Sequence, residues 1–266
     1  MWKESGEQNK PLRTGLTTGT CATACAAACA RFLLTGNKAD TVSVILPKGQ
    51  VVELSVNTQY LTAPNTDQTS KHSQTYSARS STIKNAGDDP DVTHGATIFV
   101  LLNLSKTPGI KLLAGEGVGT VTREGLALAV GEPAINPVPR QMIIDHLNQV
   151  AQQYHYLGGF TLAVGVENGE AIALKTMNGR LGIIGGLSIL GTTGIVRPFS
   201  CAAWIASITQ GIDVAKACGL EHIAASTGNR SEHAIKSWYN MQDMALIEMG
   251  DFAGAVLKHL KKHPIK

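Results

Sequence analysis

Short polar residues set among glycines mark five segments of this 266-residue chain as places where chemistry could be done. Gly15-Leu16-Thr17-Thr18-Gly19-Thr20 leads into an Ala/Cys-rich apolar run. Its hydroxyls and unpaired backbone N–H groups therefore stand at a positive helix terminus, where a carboxylate or phosphate binds; a plain N-cap by Thr18 or Thr20 would use the same residues. Asn85 to Gly95 holds the densest titratable cluster, Asp88, Asp89, Asp91 and His94. It reads as a general base at His94 or Asp91, as ligand hydrogen bonding, as a metal site, or as an Asx turn around Pro90; its spacing matches no familiar ligand set, so no metal is expected. Gly115-Glu116-Gly117-Val118-Gly119 follows a strand-like run, as nucleotide-binding loops do, although a tight turn has the same composition. Gly185-Gly186 through Gly191-Thr192-Thr193-Gly194 repeats the Thr-Thr-Gly pattern, and Ser226 to Glu232 contains Asn229 and Arg230. Arg180, Arg197 and Arg230 each adjoin one of these loops, where a guanidinium grips a carboxylate bidentately or closes a structural ion pair.

The elements that must position these segments follow from periodicity. Cys21–Leu34 is apolar nearly all round and closed by Gly36-Asn37, the pattern of a buried helix. Cys21, Cys25 and Cys29 share one face of it; with Ala filling the same helix and no second ligand pair, they read as small-residue packing rather than a thiolate site. Val42–Leu46 and Val51–Val56 form a hairpin through Pro47-Lys48-Gly49, and Ile98–Leu104 and Ile110–Leu113 are strands flanking Pro108-Gly109. Met1–Pro11 is polar and expected to be disordered until docked, and the Ser/Thr/Gln-rich Thr62–Ser81 is expected to be a long surface loop. Pro133–Pro139, with three prolines, is expected to act as a hinge. After it come a helix (Arg140–Tyr154), a strand (Thr161–Val166), a short helix (Glu170–Thr176) and the Gly-rich run Leu181–Ile195. A helix (Ala202–Ala217), a strand (His222–Ser226), a helix (Ser231–Tyr239), a strand (Met244–Met249) and a helix (Phe252–His263) complete the chain. Strands alternating with helices imply parallel pairing and right-handed crossovers. The expected fold class is therefore α/β: an α+β two-layer domain over residues 1–135, then a Rossmann-like α/β domain over 136–266.

Composition narrows the function classes. Hydrophobic content of 43% supports a full core, while 5% aromatic residues and a net charge of +3 argue against a nucleic-acid surface. The basic end, Lys258 to Lys266, reads as a solvated helix terminus. Five cysteines without a Cys-x-x-Cys, a polar N-terminus and no uninterrupted bilayer-length apolar run point to a reduced, cytoplasmic protein that does not enter membranes. No Gly-x-Ser-x-Gly elbow, P-loop or His-Glu-x-x-His is present, so hydrolase, ATPase and zinc-protease readings lose their usual support.

Taken in order, Leu12–Ala22, Ala86–Gly95, Gly115–Arg140, Arg180–Val196 and Thr227–Glu232 resemble the signature blocks of the cobalt-precorrin-5B C(1)-methyltransferase family, CbiD. The resemblance implies methyl transfer from S-adenosylmethionine to C-1 of a cobalt-containing tetrapyrrole, giving cobalt-precorrin-6A, and an α+β domain joined to a Rossmann-like one. Placed on that reaction, S-adenosylmethionine is expected either at Gly115, Gly117 and Gly119 or at Gly185, Gly186, Gly191, Thr192, Thr193 and Gly194, two loops between which the sequence does not choose. Thr17, Thr18, Gly19, Thr20, Asp88, Asp89, Arg197, Asn229 and Arg230 are the expected substrate contacts, with His94 or Asp91 available if a proton must be taken. A homo-oligomer is compatible with the sequence. The family is expected to carry a shorter loop before Ala86 and to continue past the last helix with a further strand, so a chain ending at Lys266 would leave a sheet edge uncovered. The alternatives are a non-catalytic binder of an acidic metabolite and, with less support, a nicotinamide-dependent oxidoreductase.

Overall fold

A computed structural model describes residues 11–61 and 77–265. In chain order the elements are β1 (Gly15–Leu16), α1 (Thr18–Thr35), β2 (Thr41–Ile45), β3 (Val51–Ser55), β4 (Asn57–Leu61), β5 (Ser77–Ile83), β6 (Thr97–Ser105), β7 (Gly109–Ala114) and β8 (Thr120–Val121). Then follow α2 (Pro137–Gln153), β9 (Gly159–Val166), α3 (Gly169–Ala173), β10 (Ile183–Ile184), β11 (Ile195–Val196), α4 (Cys201–Ala217), β12 (Ala224–Ser226), α5 (Asn229–Tyr239), β13 (Leu246–Glu248) and α6 (Ala253–Lys262).

The central layer is a five-stranded mixed sheet in the order β4-β5-β6-β9-β7, antiparallel except for the parallel β7–β9 pair. Helix α1 lies on it and α2 packs on α1. Ala and Cys line α1 because the helix is sandwiched: small side chains let its backbone approach both neighbours. Cys25 Sγ donates to the Ile98 carbonyl at 3.6 Å, and Cys29 Sγ reaches the Ala78 and Val100 carbonyls at 3.5 Å. Burial pushes the Cys21 thiol up to about 12 and raises Cys25 and Cys29 as well, so these sulfurs are neutral packing groups. Thr17 caps α1, rather than Thr18 or Thr20, its hydroxyl accepting the Thr20 N–H at 3.2 Å; Gly36, at φ 75°, closes the far end.

Three expectations change at this level. The division at 135/136 runs through the packed layers: α2 and β9, assigned by the sequence to the second half, complete the first half's helix pair and sheet. Periodicity identified β9 as a strand but could not say that its partners precede it by fifty residues or more. The Pro-rich link is not a hinge, because Ala134 and Ile135 are fully buried and Ala134, Ile135 and Asn136 are hydrogen-bonded across to Gly119 and Ile189 or within the turn. Of the expected 62–81 loop, residues 77–81 are strand, and 62–76 lie outside the described residues, as do residues 1–10 of the N-terminal segment. The remaining elements form a parallel pair, β12–β13, crossed over by α5 and flanked by α4 and α6, with its own core of Ile208, Ile212, Ile247 and Val256. This is the parallel crossover unit expected of the second half. No helix among the described residues is long and apolar enough to cross a membrane.

Candidate active site

Three of the five sequence segments converge. β1 pairs antiparallel with β11, Gly15 opposite Val196 and Leu16 opposite Ile195. The loop after β5 crosses the same segment: the Leu16 N–H donates to the Asn85 carbonyl at 2.8 Å and the Asp88 N–H to the Arg13 carbonyl at 3.0 Å. The crossing is tight. A Cβ on Gly15 would sit 2.1 Å from the Ala86 carbonyl carbon, and one on Gly87, at φ 68°, would sit 2.2 Å from the Arg13 oxygen. Glycine at both positions is what allows two backbones to meet here.

The carboxylates of the loop are anchors. Asp88 takes Arg13 bidentately (Nε 3.0 Å and Nη2 2.7 Å on Oδ1) and its backbone N–H at 2.7 Å on Oδ2; these bonds lower the Asp88 pKa. Asp89 Oδ1 accepts the Phe199 N–H at 2.9 Å, tying the loop to the segment after β11. Asp91 faces inward. Its Oδ2 meets Lys84 Nζ at 2.6 Å, and its Oδ1 accepts the Thr93 N–H and hydroxyl at 2.7 and 2.6 Å, an Asx turn. Burial pushes the Asp91 pKa up, but the Lys84 and Thr93 bonds outweigh it and hold the group below the ordinary carboxylate value.

Lys84 is only 2% exposed, and the sequence reading missed it. The signal was available: Ala78, Ser80, Thr82 and Lys84 alternate onto the buried face of β5 and its extension, and a lysine at the next inward position needs an acid within reach. Asp91 is that acid, so it is a structural counter-ion and not a free base. His94 is exposed, and its Nδ1 accepts the Ala86 N–H at 3.2 Å. The neutral ring then carries its proton on Nε2, so it presents a donor and not a base. A lowered Asp91 pKa stabilises the fold fully above the ordinary value near ~4, and that stability is lost as pH falls through the lower folded value. Urea midpoints from pH 7 to pH 3 should therefore fall on the acid side, and Asp91→Asn should flatten that fall.

The Thr-rich start of α1 is engaged in holding the loop before β11. The Thr18 hydroxyl accepts the Leu190 N–H at 2.8 Å, the Gly19 N–H donates to the Leu190 carbonyl at 2.9 Å, and the Thr20 hydroxyl donates to the Gly194 carbonyl at 2.8 Å. With Thr18 and Thr20 buried, the expected anion site here is replaced by an internal one, filled by Leu190–Gly194. Arg197 and Thr192 remain exposed beside it, Arg197 without a hydrogen-bond or ion-pair partner among the described residues.

The glycine loops expected to hold a nucleotide are packed against each other. A Cβ on Gly117 (φ 72°) would lie 2.1 Å from the Val166 oxygen, and one on Gly186 would lie 2.2 Å from the Gly117 oxygen. Gly115 donates to Val164, Gly119 to Leu187, and Leu187 back to Gly117. Gly115, Gly117, Gly119 and Gly186 thus serve close backbone packing, the tight-turn alternative; Gly185 is exposed, and Gly191 faces Thr17. Asn229 and Arg230 open α5 in the parallel unit, outside the three converging segments. Arg180 forms a bidentate pair there with buried Glu232, at 2.9 and 2.5 Å.

Beside the 13–16/85–88 crossing lies a cleft of about 770 Å³, bounded by β3, the end of β5, β1 and Ile195. Hydroxyl and amide groups dominate its polar lining, among them Thr14, Gln50, Asn57 and Asn85, and Glu53 is its one charged residue among the described residues.

The family model CbiD matches residues 5–198. The chain belongs to the CbiD family. It is 65% identical over 264 residues to a protein named cobalt-precorrin-5B C(1)-methyltransferase from Marinomonas sp. (strain MWYL1), covering 98% of this chain and 65% of that one. A protein of the same name from Burkholderia ambifaria (strain MC40-6) is 60% identical over 265 residues, covering 100% and 70%. The chain thus spans about two thirds of the length of these curated relatives. The 1.9 Å crystal structure of the cobalamin biosynthesis protein cbiD from Archaeoglobus fulgidus matches with a TM-score of 0.52 and 29% identity, over 93% of this chain and 74% of that one. The CbiD match runs from ahead of the β1 segment to just past β11, so it takes in the whole convergence of 13–20, 84–96 and 190–197. The β12–β13 unit lies beyond it.

Proposed function

We propose that this chain is a C-methyltransferase of corrinoid synthesis, moving the methyl group of S-adenosylmethionine to C-1 of cobalt-precorrin-5B in the cytoplasm. What carries the reading is identity of 60–65% across essentially the whole chain to proteins of that name. The cleft supports it: its volume of about 770 Å³ lies within the usual range for bound ligands, about 300–1,000 Å³. The β12–α5–β13 crossover is read as the Rossmann-like part of the chain.

S-adenosylmethionine supplies an activated methyl group: the new bond forms from a ring carbon's electron pair as the carbon–sulfur bond breaks, leaving a neutral thioether. Such a displacement needs alignment more than proton transfer. Residues that hold carboxylates are therefore the ones to expect, and cobalt enters as part of the substrate. On the three converging segments, outside the residues that line the cleft, Arg197 offers a guanidinium without a partner among the described residues and His94 an Nε2–H donor. Asp88, Asp89 and Asp91 hold the loop that carries His94 through Arg13, Phe199 and Lys84.

The test is an anaerobic assay of methyl transfer to cobalt-precorrin-5B. Arg197→Ala and His94→Ala should each raise KM by about tenfold, the worth of one charge-assisted hydrogen bond, with kcat changed less than threefold. A kcat collapse in His94→Ala at unchanged KM would restore His94 as a base and overturn its assignment as a donor. Absence of methyl transfer by the wild type, with the corrinoid still bound, would favour the non-catalytic binder.

A further inference from the structure

The carboxyl edge of the β12–β13 pair holds groups that neither the fold nor the proposed substrate site employs. Ser226 and Glu248 end the two strands and are register partners, so their side chains share one face of the pair. Ser226 is 4% exposed, yet its hydroxyl has no hydrogen-bond partner among the described residues. The Glu248 carboxylate is half-buried, within electrostatic reach of the Arg180 guanidinium but without a direct hydrogen bond or ion pair among the described residues, and points at the start of α5, its Oε1 4.0 Å from where a Cβ on Gly228 would lie. Trp204, near the N-terminus of α4, sits at the same edge: its indole carbons come within 3.7 Å of a Cβ position on Gly250, two residues beyond Glu248. The indole is 47% exposed, with the Phe252 ring 6.4 Å away.

An acid ending the second strand of a parallel crossover unit, beside a glycine ending the first, suits a cis-diol, because a carboxylate accepts from two adjacent hydroxyls. Gly228 and Glu248 stand 20 positions apart, the separation usual for such a unit. A half-exposed indole beside them offers a face for a purine. We propose that this edge binds the adenosine part of the methyl donor, Glu248 taking the ribose hydroxyls and Trp204 stacking on the base. The inference rests on S-adenosylmethionine being the donor, and it moves that ligand from the glycine loops at 115–119 and 185–194 to a different unit.

The experiment is titration of the full chain with S-adenosylhomocysteine and with its 2′,3′-dideoxyribose analogue, by calorimetry and tryptophan fluorescence. The wild type should bind the parent compound at least tenfold tighter than the analogue and show quenching. Glu248→Gln should remove the preference for the hydroxyls, and Trp204→Phe should remove the quenching; unchanged thermal unfolding in both variants excludes misfolding as the cause. Binding, preference and quenching that all survive in both variants would overturn this site while leaving the donor reading intact. If the wild type binds no S-adenosyl compound at all, the donor reading falls and this site falls with it.

Discussion

Asp91→Asn should destabilise the protein by about 3–5 kcal/mol, the usual result of stripping a buried ion of its partner, and lower Tm by roughly 10 °C for a chain of this size. The asparagine oxygen can still accept from the Thr93 N–H and hydroxyl, so the substitution isolates the charge that Lys84 requires. Lys84 is 2% exposed and Asp91 is its only acid within contact distance among the described residues. Removing the lysine as well, in Lys84→Met/Asp91→Asn, should recover most of the loss, since a neutral methionine needs no counter-ion. Chemical denaturation of the two variants at pH 7 gives the comparison. Equal stability of Asp91→Asn and wild type would mean that Asp91 is free for proton transfer, and the assignment made here would be wrong.

Gly117→Ala should lower stability by about 3 kcal/mol, combining a positive φ with overpacking. The added methyl would meet the Val166 oxygen at 2.1 Å and Gly169 Cα at 2.9 Å. Because this glycine packs backbone on backbone, affinity for S-adenosylhomocysteine in the folded fraction should stay within twofold of wild type. The opposite pattern, full stability with lost affinity, would reinstate Gly115–Gly119 as a nucleotide loop.

These two residues also show where sequence reading stops. Periodicity located the six helices and seven of the thirteen strands among the described residues, because apolar alternation and small-residue runs are local properties; it missed β4 and β5 of the central sheet, whose polar Ser, Thr, Asn and Gln residues hide the alternation. It did not locate partners: β9 reads as a strand from its own residues, but nothing in Gly159–Val166 says that β6 and β7 flank it. The same limit applies to glycine. Gly-x-Gly is written alike for a phosphate cradle and for two chains crossing, and only the approach of Gly169 and Gly186 decides for crossing. Asp88, Asp89 and Asp91 were legible as a cluster, whereas their engagement by Arg13, Phe199 and Lys84 depends on contacts made mostly from outside the loop. The convergence of Thr17–Thr20 with Gly191–Gly194 was hinted at by the repeated Thr-Thr-Gly. That hint marked a mutual contact and not a shared ligand.

The position of β9 also governs the order in which the molecule can form. As the chain leaves the ribosome, β4, β5 and β6 are made early, yet β7 cannot join them, because the strand that separates it from β6 has not been synthesised. Residues 159–166 must emerge before the sheet closes, and the buried side chains Phe160, Leu162, Val164 and Val166 arrive with them. Until then the exposed edge of β6, with Ile98, Val100 and Leu102 beside it, is open to pairing with other chains. Ribosome-bound intermediates shorter than about this length should therefore depend on chaperones, and refolding from denaturant should be slow for a protein of this helix content.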